Sequence, residues 1–181
     1  MIRNARTTDL DSIMILVTKA SALMLQENNP QWDPTYPTKA DFQADIVEET
    51  LYVHETDGIV DGVLCVNFTE SPQYQPISWA KTETAMVVHR MAVDPDSRGR
   101  GIGHRLLSFA DEIARSHHVF YLKSDTYGAN VKMNGLLQKH AYTLCGHLYF
   151  PGIEGVFNCY EKSLSEKESN LYTTSKSTMR S

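Results

Sequence analysis

Residues 93–107 read VDPDSRGRGIGHRLL, with Gly99, Gly101 and Gly103 at alternate positions just before an amphipathic segment. Ile102, Leu106, Leu107, Ala110 and Ile113 follow at helical spacing and predict one buried helix face. A glycine inside a helix costs about 1 kcal/mol relative to alanine, so three here need a reason. The first N–H groups of a helix have no partner within it, and its dipole places partial positive charge at the same end. Glycines let anion oxygens approach those amides. Arg98, Arg100 and His104 add cationic or donor groups. A solvated turn, its charges serving only solubility, rarely needs three glycines, so the segment predicts a phosphate-binding loop. It does not end in the Gly-Lys-Ser/Thr of a nucleotide P-loop, and its glycines lack Gly-x-Gly-x-x-Gly spacing.

Around this loop the chain reads as alternating short elements. Ile2 to Arg6 predicts a first strand, and "TTD" supplies N-cap candidates. Ile13, Leu16, Val17, Ala20, Leu23 and Met24 predict the buried face of a first helix, which "NNPQWDPTYP" breaks. Thr38 and Asp41 form a capping-box pattern opening a second helix that runs to about Glu49. Residues 51–68 predict a hairpin around Asp57-Gly58. The polar run 69–83 predicts a long loop that has room for an irregular strand. Strands then follow at 85–93 and 119–125, a short helix over 130–142, and two closing strands in "YTLCGHLYF" and "VFNCYEK". The order β-α-α-β-β-β-α-β-α-β-β predicts an α/β (α+β) domain. Its sheet is mixed and mostly antiparallel, with six to seven strands and about four flanking helices. The domain is expected over residues 1–162, and the Ser/Thr/Lys/Glu-rich 163–181 as a disordered tail.

Formal net charge is -5, so the chain lacks the basic surface that general nucleic-acid binding needs, and a small cationic partner suits it better. Cys65, Cys145 and Cys159 have neither disulfide-framework nor zinc-site spacing; buried thiols and no metal are expected. The N-terminus carries charges where a signal peptide needs an apolar core, and no apolar run is long enough to span a bilayer. The expectation is a cytoplasmic protein with no membrane partner. The sequence leaves a homodimer open.

The loop resembles the pyrophosphate loop of the GNAT superfamily of acyl-CoA-dependent N-acyltransferases, Arg/Gln-x-x-Gly-x-Gly/Ala after a strand ending in Val-x-Pro; here it is Arg98, Gly101 and Gly103 after "AVDP". "IRNARTTDLDSI" is similar to the usual family opening, and "NVKMNGLLQKHAYTLCG" to the second family motif through Asn130, Leu136, Lys139 and Tyr142. Gln31-Trp32, Tyr36-Pro37, His89-Arg90 and Cys145-Gly146 further resemble a bacterial subgroup. The resemblance covers residues 2 to about 162. It implies acetyl-CoA as co-substrate, lying where the 85–93 and 119–125 strands splay apart. Backbone groups of Met91, Ala92 and Val93 would hold the pantetheine arm. The pyrophosphate would sit on amides of Arg98, Gly99, Arg100, Gly101, Ile102, Gly103 and His104, with Asn130 and Met133 on the pantetheine side. The implied reaction is direct acetyl transfer to an amine in a ternary complex.

That chemistry needs a proton acceptor, donors for the oxyanion, and help for the departing thiolate. The tyrosine that serves as acid in many family members is replaced by Leu137, and the motif glycine by Ala141. Tyr127 and Tyr142 are nearby but read more readily as packed residues. His89 is the best base candidate: alternation places it on the face of Met91 and Val93, and an ordinary histidine titrates near neutrality. A structural hydrogen bond explains it equally well. Arg90 would face the other way and anchor the sheet against a carboxylate. Glu83 and His54 are weaker base candidates. Trp32, Tyr36, Tyr74 and Trp79 suit an acceptor wall, although aromatics that merely pin long loops are common. Asp33 and Glu70 suit a cationic amine. The expected acceptor is a small-molecule amine. The alternatives are a non-catalytic acyl-CoA sensor, which Leu137 motivates, and a protein or peptide N-acetyltransferase, which needs an open groove.

Overall fold

The computed structural model describes residues 1–166. Seven strands form one sheet: β1 (Ile2–Asn4), β2 (Leu51–Thr56), β3 (Ile59–Asn67), β4 (Met86–Val93), β5 (Tyr121–Tyr127), β6 (Thr143–Leu148) and β7 (Phe157–Ser163). Their order is β1-β2-β3-β4-β5-β7-β6. Only β4 and β5 pair in parallel, and every other ladder is antiparallel. Four helices flank the sheet: α1 (Leu10–Gln26), α2 (Lys39–Val47), α3 (Ile102–Ser116) and α4 (Val131–Lys139). The expected sequence of elements is the observed one.

Each helix forms for a legible reason. In α1, Ile13, Leu16, Val17 and Ala20 are buried and pack with Phe42, Val53, Val63 and Cys65 on one face of the sheet. At the start of α2, the Thr38 amide donates to Asp41 Oδ2 at 2.6 Å, and the Asp41 amide to Thr38 Oγ1 at 3.3 Å. This is the capping box expected from the sequence. In α3, Ile102, Leu106, Leu107, Ala110 and Ala114 are buried against Leu64, Val88 and Leu122 on the opposite face. Full burial of each large aliphatic stabilises the fold by about 1.5–3 kcal/mol.

Residues 69–83 contain no strand; one 3-10 turn, Pro72–Tyr74, seats the Tyr74 ring in a third cluster with Val87, Leu148, Phe157 and Cys159. At the C-terminus, β7 runs to Ser163, and the buried Leu164 donates its amide to Phe120 O at 2.8 Å. The packed domain therefore extends past the expected boundary at 162. The remainder of the expected tail, 167–181, lies outside the described residues.

One strand departs from simple alternation, with consequences for the site. On β3, Cys65 pairs with His89 and Val63 with Ala92, so one residue of β3 opposes two of β4. The extra residue is accommodated by a bulge in which Arg90 adopts φ +40°, a region a side chain rarely occupies. Met86 and Val88 share the α3 face with Met91 and Val93, whereas Val87 and Ala92 belong to the other face. His89, paired with Cys65, falls on that other face. The expectation that His89 shares a face with Met91 and Val93 is thus incorrect, because the bulge shifts the strand's phase.

Candidate functional site

The β4–β5 ladder has three pairs, ending at Val88↔Ser124. Beyond that point the strands separate, and the β5-facing main chain of residues 89–93 has no ladder partner. The opening is a cleft of about 560 Å³. Its floor is residues 88–93 of β4 with Ser124 and Thr126 of β5; Met133 and Leu136 of α4 form one wall, and Ala20, Met24 and Trp32 another. The loop before α3 closes one end through Ser97, Arg98, Gly99, Gly101, Ile102, Gly103 and His104.

That loop presents a set of main-chain donors to the cleft. A 3-10 turn over Pro95–Ser97, capped by Asp94, brings the chain out of β4. Gly101 caps α3 at φ +75°, a left-handed conformation natural for glycine. The first helical bond is from the Arg105 amide to Gly101 O at 3.1 Å, and the amides of residues 99–104 donate to nothing among the described residues. Arg98 and Arg100 are exposed beside them and form no ion pair among the described residues. Gly103 leaves room for a neighbour: a Cβ there would lie 2.9 Å from Leu136 Cδ2 and would make that side chain shift. These features fit a diphosphate at the loop and a thin chain along the splayed strands.

At the far end, Asn130 caps α4 by accepting from the Met133 amide at 3.1 Å, while its Nδ2 donates to Thr126 Oγ1 at 3.3 Å. His104 faces His140, with Nδ1 and Nε2 2.7 Å apart.

The other proposed site residues divide. His89 lines the cleft, and its Nε2 lies 2.9 Å from Thr69 O, so that nitrogen carries the proton and Nδ1 holds the lone pair. Burial, with Arg90 alongside, lowers its pKa to about 4. Arg90 also lines the cleft and is held by Asp45 of α2, as the anchoring expectation required. Trp32 is buried at the cleft wall. The Tyr36 hydroxyl accepts from Arg90 Nη1 at 3.3 Å. Glu83 is exposed, bonds Lys81 at 2.9 Å and does not line the cleft, because it precedes the strand in an extended surface segment. Trp79 also lies outside it: its Nε1 donates to Tyr74 O, and its ring carries the Lys123 ammonium 4.5 Å from its centroid. It pins the loop over residues 69–83.

His54 is sealed with Asp61 at 2.5 Å, accepts from Arg105 Nε at 3.2 Å and faces away from the cleft. Leu137 is fully buried in the core. The Tyr127 hydroxyl donates to Glu154 O, and Tyr142 is buried, so neither lines the cleft. Asp33 closes its own turn through Thr35 and Tyr36, and Glu70 pairs with Lys123 at 2.7 Å. No group of three or more His, Cys, Asp or Glu is placed to hold a metal among the described residues. No helix among them is long and apolar enough to cross a membrane.

Sequence reasoning missed Asp125, whose Oδ1 accepts from the Tyr74 hydroxyl at 2.6 Å. Burial raises its pKa, with the Tyr74 bond acting against that rise. Its one available signal was being the sole carboxylate in the strand Tyr121–Tyr127.

Residues 21–142 match the acetyltransferase (GNAT) family. An acetyltransferase of that family from Streptococcus agalactiae superposes with a TM-score of 0.80 at 27% identity, over 92% of this chain and 96% of that one. A structure from Staphylococcus aureus Mu50 described as an acetyltransferase gives 0.72 at 26% identity, over 91% and 99%. The fold is also that of an acetyltransferase from Salmonella typhimurium determined with its cofactor acetyl-CoA, at a TM-score of 0.67 and 17% identity, over 92% and 94%. None of the curated proteins compared with the chain matches it.

Proposed function

The chain belongs to the GNAT acetyltransferase family and is an N-acetyltransferase of that class, and we propose that it transfers acetyl from acetyl-CoA to a small-molecule amine by direct transfer in a ternary complex. The observation that carries the reading is the run of unbonded amides at 99–104, opening onto the splay of β4 and β5. Those amides, with Arg98 and Arg100, would take the pyrophosphate, since charge-assisted bonds from backbone and guanidinium suit phosphate oxygens. The pantetheine arm would follow the free edge of β4 at Met91, Ala92 and Val93, past Asn130 and Met133. The thioester would then reach the fork at Val88 and Ser124. Bound acetyl-CoA supplies the electrophilic carbonyl.

On this chain's side, the bulged main chain of β4 offers donors to the carbonyl oxygen. Trp32 and Tyr36 border the acceptor approach. His89 presents its Nδ1 lone pair there. Its depressed basicity makes it an orienting acceptor of a hydrogen bond more than a strong base. A small acceptor is supported by the two segments that fold over this face: the α1–α2 loop, tied to β5 where Gln31 Oε1 accepts from the Tyr127 amide at 3.1 Å, and the loop pinned by Trp79 and Tyr74.

One observation favours a second reading, a non-catalytic acyl-CoA-binding module. Among the described residues no tyrosine lines the cleft, and the family's usual acid position is the core residue Leu137. A thiolate is a fair leaving group without that acid, so the enzyme reading stands ahead.

The test is thermal stability with acetyl-CoA. Saturation at 100 times Kd should add about 2.7 kcal/mol, seen as a rise in Tm. An unchanged Tm at millimolar acetyl-CoA overturns both readings. Protection without CoA release across an amine panel overturns the enzyme reading in favour of the binding module.

A further inference from the structure

The fork of the sheet puts two residues at equivalent positions on its two strands, both on the face opposite α3. The last parallel pair is Val88↔Ser124, so His89 and Asp125 are the first residues beyond it on their two strands. His89 shares the face of its partner Cys65, and Asp125 the face of its partner Cys159; both partners belong to clusters on the side away from α3. Ser124 and Thr126, by alternation, line the cofactor cleft on the other side. Asp125 therefore points to the face away from α3, the face from which Ala20, Met24, Trp32 and His89 enter the cleft lining, at the point where the strands part.

Among the described residues no cation is paired with it. Asp45 has Arg90, Asp111 has Lys162, and Lys123 beside it in sequence is committed to Glu70. Asp125 receives only the neutral Tyr74 hydroxyl on Oδ1; Oδ2 has no partner among the described residues and is not sealed from solvent. A buried carboxylate without a compensating charge is costly. Such a group stays protonated, as the burial-raised pKa of Asp125 describes, unless a ligand supplies the missing charge.

We infer that Asp125 is the acceptor subsite of this enzyme, binding the alkylammonium group of the incoming amine and taking its first proton. This rests on the acetyltransferase reading above. The ammonium gives one proton to Asp125, which later passes it to water. The freed nitrogen lone pair forms the N–C bond as the thioester π pair moves to oxygen. That pair returns as the C–S bond breaks, and the second nitrogen proton goes to the departing sulfur. The products are amide, CoA thiol and one proton released to solvent. Burial suits Asp125 to this role, since a raised carboxyl pKa brings it nearer the operating pH. Tyr74 fixes the carboxyl through Oδ1 and leaves Oδ2 for the substrate.

An alkylammonium comes from a small amine or from a polypeptide N-terminus, and the two are separated by the probes. Tyramine, spermidine, lysine, glucosamine and an alanine-led hexapeptide are assayed for CoA thiol release with wild type, Asp125→Asn and Tyr74→Phe. Asp125→Asn is expected to keep its Tm and its protection by acetyl-CoA, yet lose at least about 100-fold in kcat/KM for every amine used. Tyr74→Phe should lose less. Asp125-dependent turnover of the hexapeptide alone assigns the ammonium to a polypeptide and retains the subsite. Asp125→Asn turnover within two-fold of wild type overturns the inference, while intact acetyl-CoA protection leaves the cofactor reading standing. Should wild type acetylate none of these probes, the 13C carboxyl signal of Asp125 in the CoA complex decides. Methylammonium should shift it towards the ionised form and methanol should not; equal response to both, or to neither, overturns the subsite.

Discussion

Arg90 and Asp45 form a two-bond ion pair between β4 and α2: Nε lies 2.6 Å from Oδ2 and Nη2 2.6 Å from Oδ1. Asp45 is only 4% exposed, so its charge depends on that guanidinium. The pair also holds the bulge. A non-glycine residue in left-handed backbone costs about 1–3 kcal/mol, and Arg90 at φ +40° accepts this cost while bound to α2. Arg90→Ala should destabilise the fold by roughly 3–5 kcal/mol, because it strands a buried carboxylate. Thermal denaturation should show Tm falling by about 6 °C or more. A change below about 1 kcal/mol would mean that Asp45 is solvated after all.

Loss of cofactor binding should separate Gly101 from Gly103 by mechanism. Gly101→Val forces a β-branched residue to φ +75°, at the cap where the free amides converge. Gly103→Val places atoms against Leu136, narrowing or skewing the cleft from its wall. Both should abolish acetyl-CoA protection and both should destabilise the ligand-free protein, Gly101→Val through left-handed backbone strain of about 1–3 kcal/mol and Gly103→Val through overpacking against the Leu136 side chain, by up to about 1–3 kcal/mol. Wild-type affinity in either variant, read by calorimetric titration with acetyl-CoA, would remove the loop from the cofactor site.

Much of this was legible in the chain. Hydrophobic spacing revealed α1 and α3, the Thr38/Asp41 box opened α2, and the glycines marked the loop of unbonded amides before α3, since all are local signals read within a few residues. What escaped were relationships set by register. The β4 bulge has no sequence signature in "VVHRMAV", yet it moves His89 to the other face. Asp125 looked like one of several polar residues in a strand, and only the pairing of β4 with β5 shows that it is the first residue past the fork. Glu83 was singled out for closeness in sequence to β4, but the chain reaches that strand along the surface, where Lys81 takes the carboxylate. Trp79 was singled out as an aromatic in a long loop, and loop pinning proved to be its role.

The three thiols should be silent in the native protein. Burial, with Asp45 adding to it, pushes Cys65 up to about 12; burial and Asp125 push Cys159 to about 12; burial and Glu161 push Cys145 to about 11. At pH 8 a thiol of pKa 12 is ionised to about one part in ten thousand, and the thiolate is the reactive form. Ellman's reagent should therefore label none within minutes in the folded protein and all three in denaturant. Rapid labelling of the half-buried Cys145 alone would indicate local opening of β6. Silence also makes CoA thiol release a clean measure of turnover.

His89 should leave a mark on the pH dependence of stability. Its folded pKa is about 4 against 6.5 for the free ring, with burial as the main cause and Arg90 second. Between those values the unfolded chain binds a proton that the folded protein refuses, so unfolding becomes easier as pH falls through the window. Below about pH 4 both states are protonated and His89 contributes no further change. Asp125 acts in the opposite sense, because its raised pKa makes the folded state take up a proton first as pH falls. The difference between wild type and His89→Gln isolates the histidine, and glutamine can still donate to Thr69 O. Tm measured from pH 7 to 4 should fall more steeply for wild type than for His89→Gln. Parallel curves would show that the ring is solvated enough to titrate normally, and would restore it as a candidate for the proton acceptor in place of Asp125.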